Sequence, residues 1–302
     1  MKQFIKLMGL VALGLSATLS AQAKSVDVFA CEPEWAALSQ EIGGERVKVY
    51  TATTAFEDPH HVRARPSHLA AMRRADLVFC SGAGLEDAWL PLLIKKGASK
   101  IQPGSIGNLM ASDWVTKIEV PRVVDRSLGD IHAAGNPHVH LDARNLLPIS
   151  RQLSKRLSMI DPGGALIYAE RQKRFERDWS AQIIKWQSQA AKLENKGVVA
   201  HHRSFSYLFN WLGVNTAATL EPKPGVSPSG SDLAKAAAAL KDKRVVAVVR
   251  TPYEPKKPAA WAAKSSGKPA LVLPYTVGGD PKATDLKSLF DLTIMRLLEA
   301  NR

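Results

Sequence analysis

The sequence predicts an α/β protein with two lobes, each a mainly parallel sheet with flanking helices, joined by one long rigid helix. Short β-branched runs alternate with helical patterns in both halves of the 302-residue chain, which is typical of parallel sheets in α/β units. A single long helical segment separates the two halves. The chain is long enough for two buried cores. We therefore expect a first lobe over 24–161, a linking helix over 162–196 and a second lobe over 197–302.

The alternation of apolar runs with helical spacing places the elements of each lobe. The first half contains three predicted strands, at 26–31, 47–52 and 76–80. It also contains three predicted helices, at 33–42, 66–75 and 85–96. The second half contains four predicted strands, at 198–201, 216–220, 244–249 and 270–273. Its four predicted helices lie at 205–212, 230–241, 258–265 and 283–300.

The predicted linking helix begins after Asp161, which suits an N-cap, and has Pro162 in its first turn. Apolar residues then recur at helical spacing, and Gly197 suits the end of the segment. At about 1.5 Å per residue this helix would reach on the order of 50 Å, which is long enough to join both lobes. Two shorter helices with a break near Ser188 are the alternative.

The N-terminus has the pattern of a cleavable secretory signal peptide. Two lysines precede an apolar run over 7–19, and the Ala-Gln-Ala of residues 21–23 supplies the small residues of a cleavage site. The run is shorter than the roughly 20 residues that a membrane-spanning helix needs. Because no cysteine stands at the junction, lipid attachment is not expected. We expect cleavage after Ala23 and a periplasmic mature protein without stable membrane insertion.

The chain is basic, with 41 Lys and Arg against 28 Asp and Glu and a formal net charge of +13. Such a charge could indicate a nucleic-acid or membrane-surface partner. The basic residues are scattered in short groups, however, and no aromatic-rich basic module accompanies them. We interpret the charge as a solvated basic surface and expect no nucleic-acid partner.

Two cysteines are present, Cys31 and Cys80, and each closes an apolar run that predicts a strand. Export would place them where disulfides persist. Neighbouring parallel strands could bring their carboxyl ends within bridging range. We predict a disulfide between them, with two buried free thiols as the alternative.

Most of the eight histidines concentrate in three places, whereas His68 stands alone and is not predicted to bind a ligand. Loops at the carboxyl ends of parallel strands form the ligand crevice of open α/β sheets. Neutral imidazole favours zinc, copper or nickel, whereas manganese prefers oxygen ligands. The sequence therefore indicates a metal site built from three segments: Asp58-Pro59-His60-His61, His132 with Asn136-Pro137-His138-Val139-His140-Leu141-Asp142, and His201-His202.

One spacing suggests a metal-dependent hydrolase instead. His138, His140 and Asp142 resemble the His-x-His-x-Asp-His pattern of metallo-β-lactamase-like enzymes. Ala143 occupies the place of the final histidine, which argues against a site for two metal ions. We therefore predict that the protein is not an enzyme.

Several motifs follow one another along the mature chain in a recognisable order: Asp58-Pro59-His60, Pro66-Ser67, Ala75-Asp76-Leu77-Val78, Gly82 to Trp89, Asn136-Pro137-His138-Val139, Leu141-Asp142, Asp161-Pro162 and His202-x-x-Phe205-x-Tyr207. In this order they resemble the solute-binding receptors of zinc and manganese ABC importers. The resemblance covers essentially the whole mature chain, including the long central helix. It implies a monomeric receptor that holds a metal ion between two lobes and delivers it to the permease of an ABC importer. A periplasmic metal chaperone or adhesin without an importer is the alternative.

The resemblance also implies a ligand set. His60 and His138 would be ligands from the first lobe and His202 a ligand from the second. The fourth ligand would be a carboxylate near the C-terminus. Asp280 is the predicted residue, with Asp285 or a water molecule as alternatives.

The metal follows from the ligand at position 202. Manganese receptors of this group tend to carry a carboxylate where this chain has His202. Three imidazoles and one carboxylate instead suit a near-tetrahedral zinc site with bonds of about 2.0 to 2.2 Å. We therefore predict zinc over manganese. The roles of His61, His132, His140 and His201 stay open between packing, support of the ligands and contact with the metal.

Overall fold

The computed structural model describes residues 25–123 and 132–302, so the predicted signal peptide lies outside the described residues. In these ranges the strands are β1 (Val26–Ala30), β2 (Val47–Thr51), β3 (Leu77–Cys80), β4 (Asn108–Met110), β5 (Gly197–Ala200), β6 (Asn215–Thr219), β7 (Val245–Arg250) and β8 (Ala270–Val272). The α-helices are α1 (Pro33–Gly43), α2 (Pro66–Arg74), α3 (Leu90–Lys95), α4 (Leu146–Ile160), α5 (Ala165–Ala190), α6 (Ser206–Leu212), α7 (Gly230–Ala239), α8 (Lys256–Ser266) and α9 (Leu286–Ala300).

The first four strands form a parallel sheet in the order β2-β1-β3-β4. β1 pairs with β2 from Val26 opposite Val47, and with β3 from Val28 opposite Leu77. All residues of β1 are buried except Asp27, which is half-buried. Burial of both faces is expected for the central strand of a parallel sheet covered by helices.

The last four strands form a second parallel sheet with the equivalent order, β6-β5-β7-β8. β5 is buried along its whole length. In each sheet the first strand of the lobe lies between the second and the third, so the strand order reverses beside it. Such a reversal opens a crevice at the carboxyl ends of the strands. The predicted class, two lobes with parallel sheets and flanking helices, is confirmed.

The predicted disulfide is present in the structure, between Cys31 and Cys80. Cys31 directly follows β1 and Cys80 ends β3, and these strands are hydrogen-bonded neighbours. Their Cα atoms lie 4.9 Å apart. The bridge therefore ties two adjacent strand ends together at the edge of the first lobe's crevice.

α5 is the predicted linking helix and runs without a break for 26 residues. Single 3-10 turns at 162–164 and 191–193 flank it. At 1.5 Å per residue the helix is about 39 Å long. The predicted long helix is confirmed, and the alternative of a break near Ser188 is wrong.

Two tryptophans of α5 attach the helix to both lobes. The indole N–H of Trp179 donates to the carbonyl of Ala143 at 2.8 Å, just before α4 of the first lobe. The indole N–H of Trp186 donates to a carboxylate oxygen of Asp291 on α9 at 2.8 Å. Both indoles are nearly fully buried in a hydrophobic core that continues from one lobe into the other. α5 is therefore a packed strut rather than an exposed linker.

Three elements of the first lobe, α4, α3 and β4, differ from the sequence prediction. α4 was not predicted, although Leu146, Ile149, Leu153 and Leu157 recur at helical spacing and are fully buried. α3 covers only 90–95 of the predicted 85–96. It begins late because Pro91 has no N–H and must lie in the first turn of a helix.

The short strand β4 was also not predicted, since three residues give no periodic signal. The residue limits of the lobes, at 161 and 196, stay predictions. Among the helices in residues 25–123 and 132–302, none combines the length and the apolar character that crossing a bilayer requires.

Candidate metal centre

Three predicted ligands, His60, His138 and His202, meet between the two lobes. His60 lies in a 3-10 turn after β2, and the carboxylate of Asp58 caps this turn by accepting from the backbone N–H of His60 at 3.0 Å. His138 precedes another 3-10 turn, and its backbone N–H donates to the side-chain oxygen of Asn136 at 3.0 Å. His202 is the second residue after β5. Side-chain hydrogen bonds therefore hold the backbones of His60 and His138, and the end of β5 positions His202.

The three imidazoles surround one point. Their ring centroids are 5.4 Å apart for His60 and His138, 5.7 Å for His60 and His202, and 5.8 Å for His138 and His202. One nitrogen atom of each ring lies within 4.8 Å of the other two. Ligand atoms of a tetrahedral zinc ion with bonds of about 2.0 Å are roughly 3.4 Å apart. Side-chain shifts of about 1 Å or less would bring the three nitrogens to that geometry.

A different partner holds the Nδ1 atom of each ring. Nδ1 of His60 lies 2.7 Å from an oxygen of Asp58, and Nδ1 of His202 lies 2.8 Å from an oxygen of Glu221. Because a carboxylate accepts, both Nδ1 atoms donate, and each neutral ring then keeps its lone pair on Nε2. Such outer partners fix the tautomer and orientation of metal-ligating histidines.

The third ring, His138, has its Nδ1 atom 2.8 Å from the hydroxyl oxygen of Tyr275. Its Nε2 atom is buried and has no hydrogen-bond partner. Buried polar atoms are normally paired, so an unpaired imidazole nitrogen inside a ring of imidazoles fits a metal ion. With Nδ1 donating to Tyr275, the Nε2 lone pair would point at that ion.

The protonation of the rings differs between the lobes. Burial and the neighbouring imidazoles of His60 and His202 hold the pKa of His138 well below its usual value. Burial also opposes charge on His202, but the hydrogen bond and charge of Glu221 outweigh it and raise the pKa of His202. His138 therefore loses its proton at a lower pH than an ordinary histidine, whereas His202 holds a proton up to a higher pH.

The structure does not bring Asp280 to the three imidazoles. One oxygen of Asp280 accepts from the guanidinium of Arg296 on α9 at 2.5 Å, and the other accepts from the backbone N–H of Lys282 at 2.9 Å. Asp285, the predicted alternative, is the N-cap of α9 and accepts from the backbone N–H of Ser288 at 2.7 Å. Both carboxylates thus have structural partners in the second lobe, and neither belongs to the group of close ligand atoms.

The four histidines whose role was open occupy different environments. His61 is exposed. His140 is buried, with Nε2 donating to the carbonyl of Tyr275 at 2.9 Å and Nδ1 at 3.1 Å from Glu34. His201 is buried, with Nε2 3.7 Å from Glu221.

His132 is the fourth of these histidines and lies at the centre itself. Its Nε2 atom is 3.1 Å from Nε2 of His60. Burial and the neighbouring rings of His60 and His202 lower the pKa of His132 to about 3. His132 is therefore a neutral imidazole in contact with a predicted ligand.

Sequence reasoning missed Tyr275 and Glu221 as partners of the ligands. Glu221 had a detectable signal, because it follows β6, the neighbour of the strand that precedes His202. The backbone N–H of Glu221 donates to the carbonyl of His201 at 3.1 Å, which continues the pairing of the two strands. Tyr275 had no such signal, since it is 137 residues away from His138 along the chain.

Two α/β lobes joined by a stiff helix, with imidazoles from both lobes converging between them, define a solute-binding receptor for a metal ion. The chain belongs to the family described as zinc-uptake complex component A, periplasmic, whose family model matches residues 28–300. This membership confirms the predicted class, a receptor of metal ABC importers. Because the members of this family are receptors, it also agrees with the prediction that the protein is not an enzyme.

Individual relatives agree with this class, and the name of one of them specifies iron. The metal ABC transporter substrate-binding lipoprotein SloC of Streptococcus mutans is 25% identical over 275 residues, covering 87% of this chain and 86% of SloC. The iron ABC transporter substrate-binding lipoprotein MtsA of Streptococcus pyogenes is 25% identical over 223 residues, covering 71% and 68%. A crystal structure of ZnuA has a TM-score of 0.75 at 18% identity and covers 92% of this chain and 100% of that chain. The similarity to ZnuA supports the fold.

Proposed function

We propose that this protein is a periplasmic zinc receptor that binds Zn²⁺ with His60, His138 and His202 and delivers it to the permease of an ABC importer. The observation that carries the proposal is the convergence of three imidazoles whose Nδ1 atoms all have other partners. In this arrangement three Nε2 lone pairs would face one point. The metal is cargo, and no bond of a substrate is made or broken.

The donor set favours zinc over manganese and iron. Three neutral imidazoles are borderline-soft nitrogen donors, which suit zinc, whereas manganese prefers carboxylates, carbonyls and water. Neither Asp280 nor Asp285 joins the ligand group, so the described residues offer less oxygen to the metal than the sequence prediction assumed. Copper would bind nitrogen ligands more tightly than zinc by its place in the affinity order. Copper therefore has to be included in any test.

The two lobes have separate tasks in this proposal. The first lobe supplies His60 and His138, which would hold the ion first because His138 needs no deprotonation. The second lobe supplies His202, which must release its proton to bind. Closing His202 onto the ion completes the link between the lobes, and the permease would release zinc by separating them. The cleavable signal peptide over 1–23, the lobe limits at 161 and 196 and a monomeric receptor are parts of the same proposal.

Competition titration of the purified mature protein against chelators, with zinc, manganese, iron(II) and copper(II), tests the proposal. We expect one zinc per chain and a preference for zinc over manganese. His60→Ala, His138→Ala and His202→Ala should each lower zinc affinity by at least about 100-fold, since even outer partners of ligands contribute 10- to 100-fold. His61→Ala is the matched control, because His61 is exposed in the same turn as His60.

Two results would contradict the proposal. One is a wild-type protein that prefers manganese or iron under competition. The other is a His202→Ala variant that binds zinc as tightly as the wild type, because zinc would then be held by the first lobe alone. A pull-down of the zinc-loaded receptor with its candidate permease tests delivery separately from binding.

A further inference from the structure

His132 lies against the metal centre on the side of His60. The two Nε2 atoms are 3.1 Å apart and the ring centroids 5.1 Å apart. His132 also lines the same cavity between the lobes as His138 and His202.

The hydrogen-bond partners of the two Nδ1 atoms determine which groups face each other in the contact between His60 and His132. Nδ1 of His60 donates to Asp58, so Nε2 of the neutral His60 ring carries a lone pair. On the other side of the contact, His132 has a hydrogen bond with the backbone of Gly84, beside its own Nδ1. A neutral ring that donates from Nδ1 also presents a lone pair at Nε2. Two lone pairs 3.1 Å apart repel each other unless a proton or a metal ion lies between them, and a metal ion would replace the hydrogen bond that a shared proton makes here.

The spacing of the two nitrogens matches that requirement. Two nitrogen ligands of one tetrahedral zinc ion are separated by roughly 3.4 Å, from bonds of about 2.0 to 2.1 Å. The observed 3.1 Å is close to this value. His60 and His132 therefore already stand at the distance of two ligands that share one ion.

We propose that His132 is the fourth ligand of the transported metal and completes a shell of four imidazoles in place of a carboxylate. This inference rests on the proposed zinc-binding function and deepens it by naming the donor set. The ring of His132 lies 6.3 Å from that of His138, centroid to centroid, and outside the group of three close ligand atoms. On binding, its Nε2 atom would move toward His138 and His202 by rotation of the half-buried side chain.

Carboxylates still take part in such a centre, as hydrogen-bond partners of the ligating imidazoles rather than as ligands. Asp58 and Glu221 accept from Nδ1 of His60 and His202 and bring negative charge to a shell that has none of its own. Hydrogen bonds of this kind raise the basicity of the ligating ring. An all-nitrogen shell discriminates against manganese more strongly than a shell with one carboxylate would.

The proposal also assigns three ligands to the first lobe and one to the second. His60, His132 and His138 all precede α5, and His202 follows it. Separation of the lobes would then break a single bond to the metal, and the ion would stay on the first lobe until other donors replaced its three imidazoles. Separation of the lobes by the permease would therefore have to be followed by exchange of ligands at the first lobe.

X-ray absorption spectroscopy at the zinc edge tests this assignment on the zinc-loaded full-length mature protein, because it counts imidazole ligands directly. We expect four imidazoles in the wild type, three in His132→Ala and four in Asp280→Ala. Zinc affinity should fall about 100-fold in His132→Ala. Relative to His132→Ala, His132→Asp should restore much of the zinc affinity and increase manganese binding, since it supplies a carboxylate ligand in place of the imidazole. His61→Ala is the control that removes a neighbouring imidazole.

Other outcomes would overturn the assignment in distinguishable ways. Three imidazoles and one oxygen in the wild type, with the oxygen lost in Asp280→Ala, would make Asp280 the fourth ligand. Three imidazoles and an oxygen that persists in both alanine variants would make it Asp285 or a water molecule, which Asp285→Ala distinguishes. A wild-type protein that holds no stoichiometric zinc would instead refute the proposed function itself. Circular dichroism of each variant shows whether the fold is retained.

Discussion

The carboxylate of Glu221 offers the most informative single perturbation of the centre, because it contacts a ligand without being one. It accepts from Nδ1 of His202 at 2.8 Å, and only 16% of its side chain is exposed. Glu221→Gln keeps the size of the side chain and removes the charge. We expect weaker zinc binding, since an amide holds and polarises the ligand ring less well than a carboxylate.

The size of the effect follows from the contact. Loss of such an outer partner typically reduces metal affinity by about 10- to 100-fold, or about 1.4 to 2.8 kcal/mol. A hydrogen bond to a charged group contributes about 1.5 to 3 kcal/mol, which agrees with this range. Isothermal titration or chelator competition at pH 7.5 measures the change. Glu176→Gln on α5 is the matched control, because it removes the same charge from a carboxylate that pairs with Arg151.

The same variant predicts a change in pH dependence. In the wild type Glu221 raises the pKa of His202, so protons compete with zinc from a higher pH downward. Without the carboxylate this pKa falls, and the competition begins only at a lower pH. The ratio of wild-type to variant affinity should therefore narrow as the pH decreases from 8 to 5.5. A ratio that stays constant over this range, or a variant that binds zinc more tightly at pH 8, would refute the reasoning.

Three further predictions concern the surroundings of the centre. Asp280→Ala should leave zinc affinity within about threefold and cost about 1 to 2 kcal/mol of stability, since it loses the ion pair with Arg296 and the hydrogen bond from the backbone N–H of Lys282. A large loss of zinc affinity would instead identify Asp280 as a ligand. Replacing Cys31 and Cys80 by serine should lower the free energy of unfolding, measured in urea, by up to about 4 kcal/mol, because the bridge closes a loop over a sequence separation of 49. Identical urea midpoints for the wild type and the variant would contradict this prediction. Tyr275→Phe should speed zinc release by about tenfold in stopped-flow chelation, because the buried Nδ1 atom of His138 loses its hydrogen-bond partner. An unchanged release rate would show that the hydroxyl of Tyr275 is dispensable.

Local sequence patterns were sufficient wherever structure depends on neighbours along the chain. Seven of the eight strands in the described residues, the long helix and most helix positions follow from the spacing of apolar residues, because burial of one face requires that spacing. The disulfide was predictable for a related reason, since both cysteines close strands and the strands are neighbours. α4 carried the same signal and was overlooked, with Pro148 in its first turn, where a proline is tolerated.

The centre was only partly predictable, because it is assembled from segments that are distant in sequence. Motifs and resemblance indicated His60, His138 and His202, which the structure places together. They also indicated Asp280, whose carboxylate is held instead by Arg296, a residue on a helix that begins after it. No local sequence pattern indicates whether the carboxylate of Asp280 will contact the metal or Arg296.

Short motifs, periodicity and resemblance predicted the two-lobed α/β fold, which the structure confirms, and three imidazoles that the structure brings together. The partners of the three Nδ1 atoms became known only from the tertiary structure. They are Asp58 for His60, Glu221 after the neighbouring strand for His202, and Tyr275 near the C-terminus for His138. The tertiary structure also placed His132 beside His60, across a separation of 72 residues. The physical reason is that metal affinity depends on distances of a few ångströms between side chains, which packing sets and sequence spacing does not.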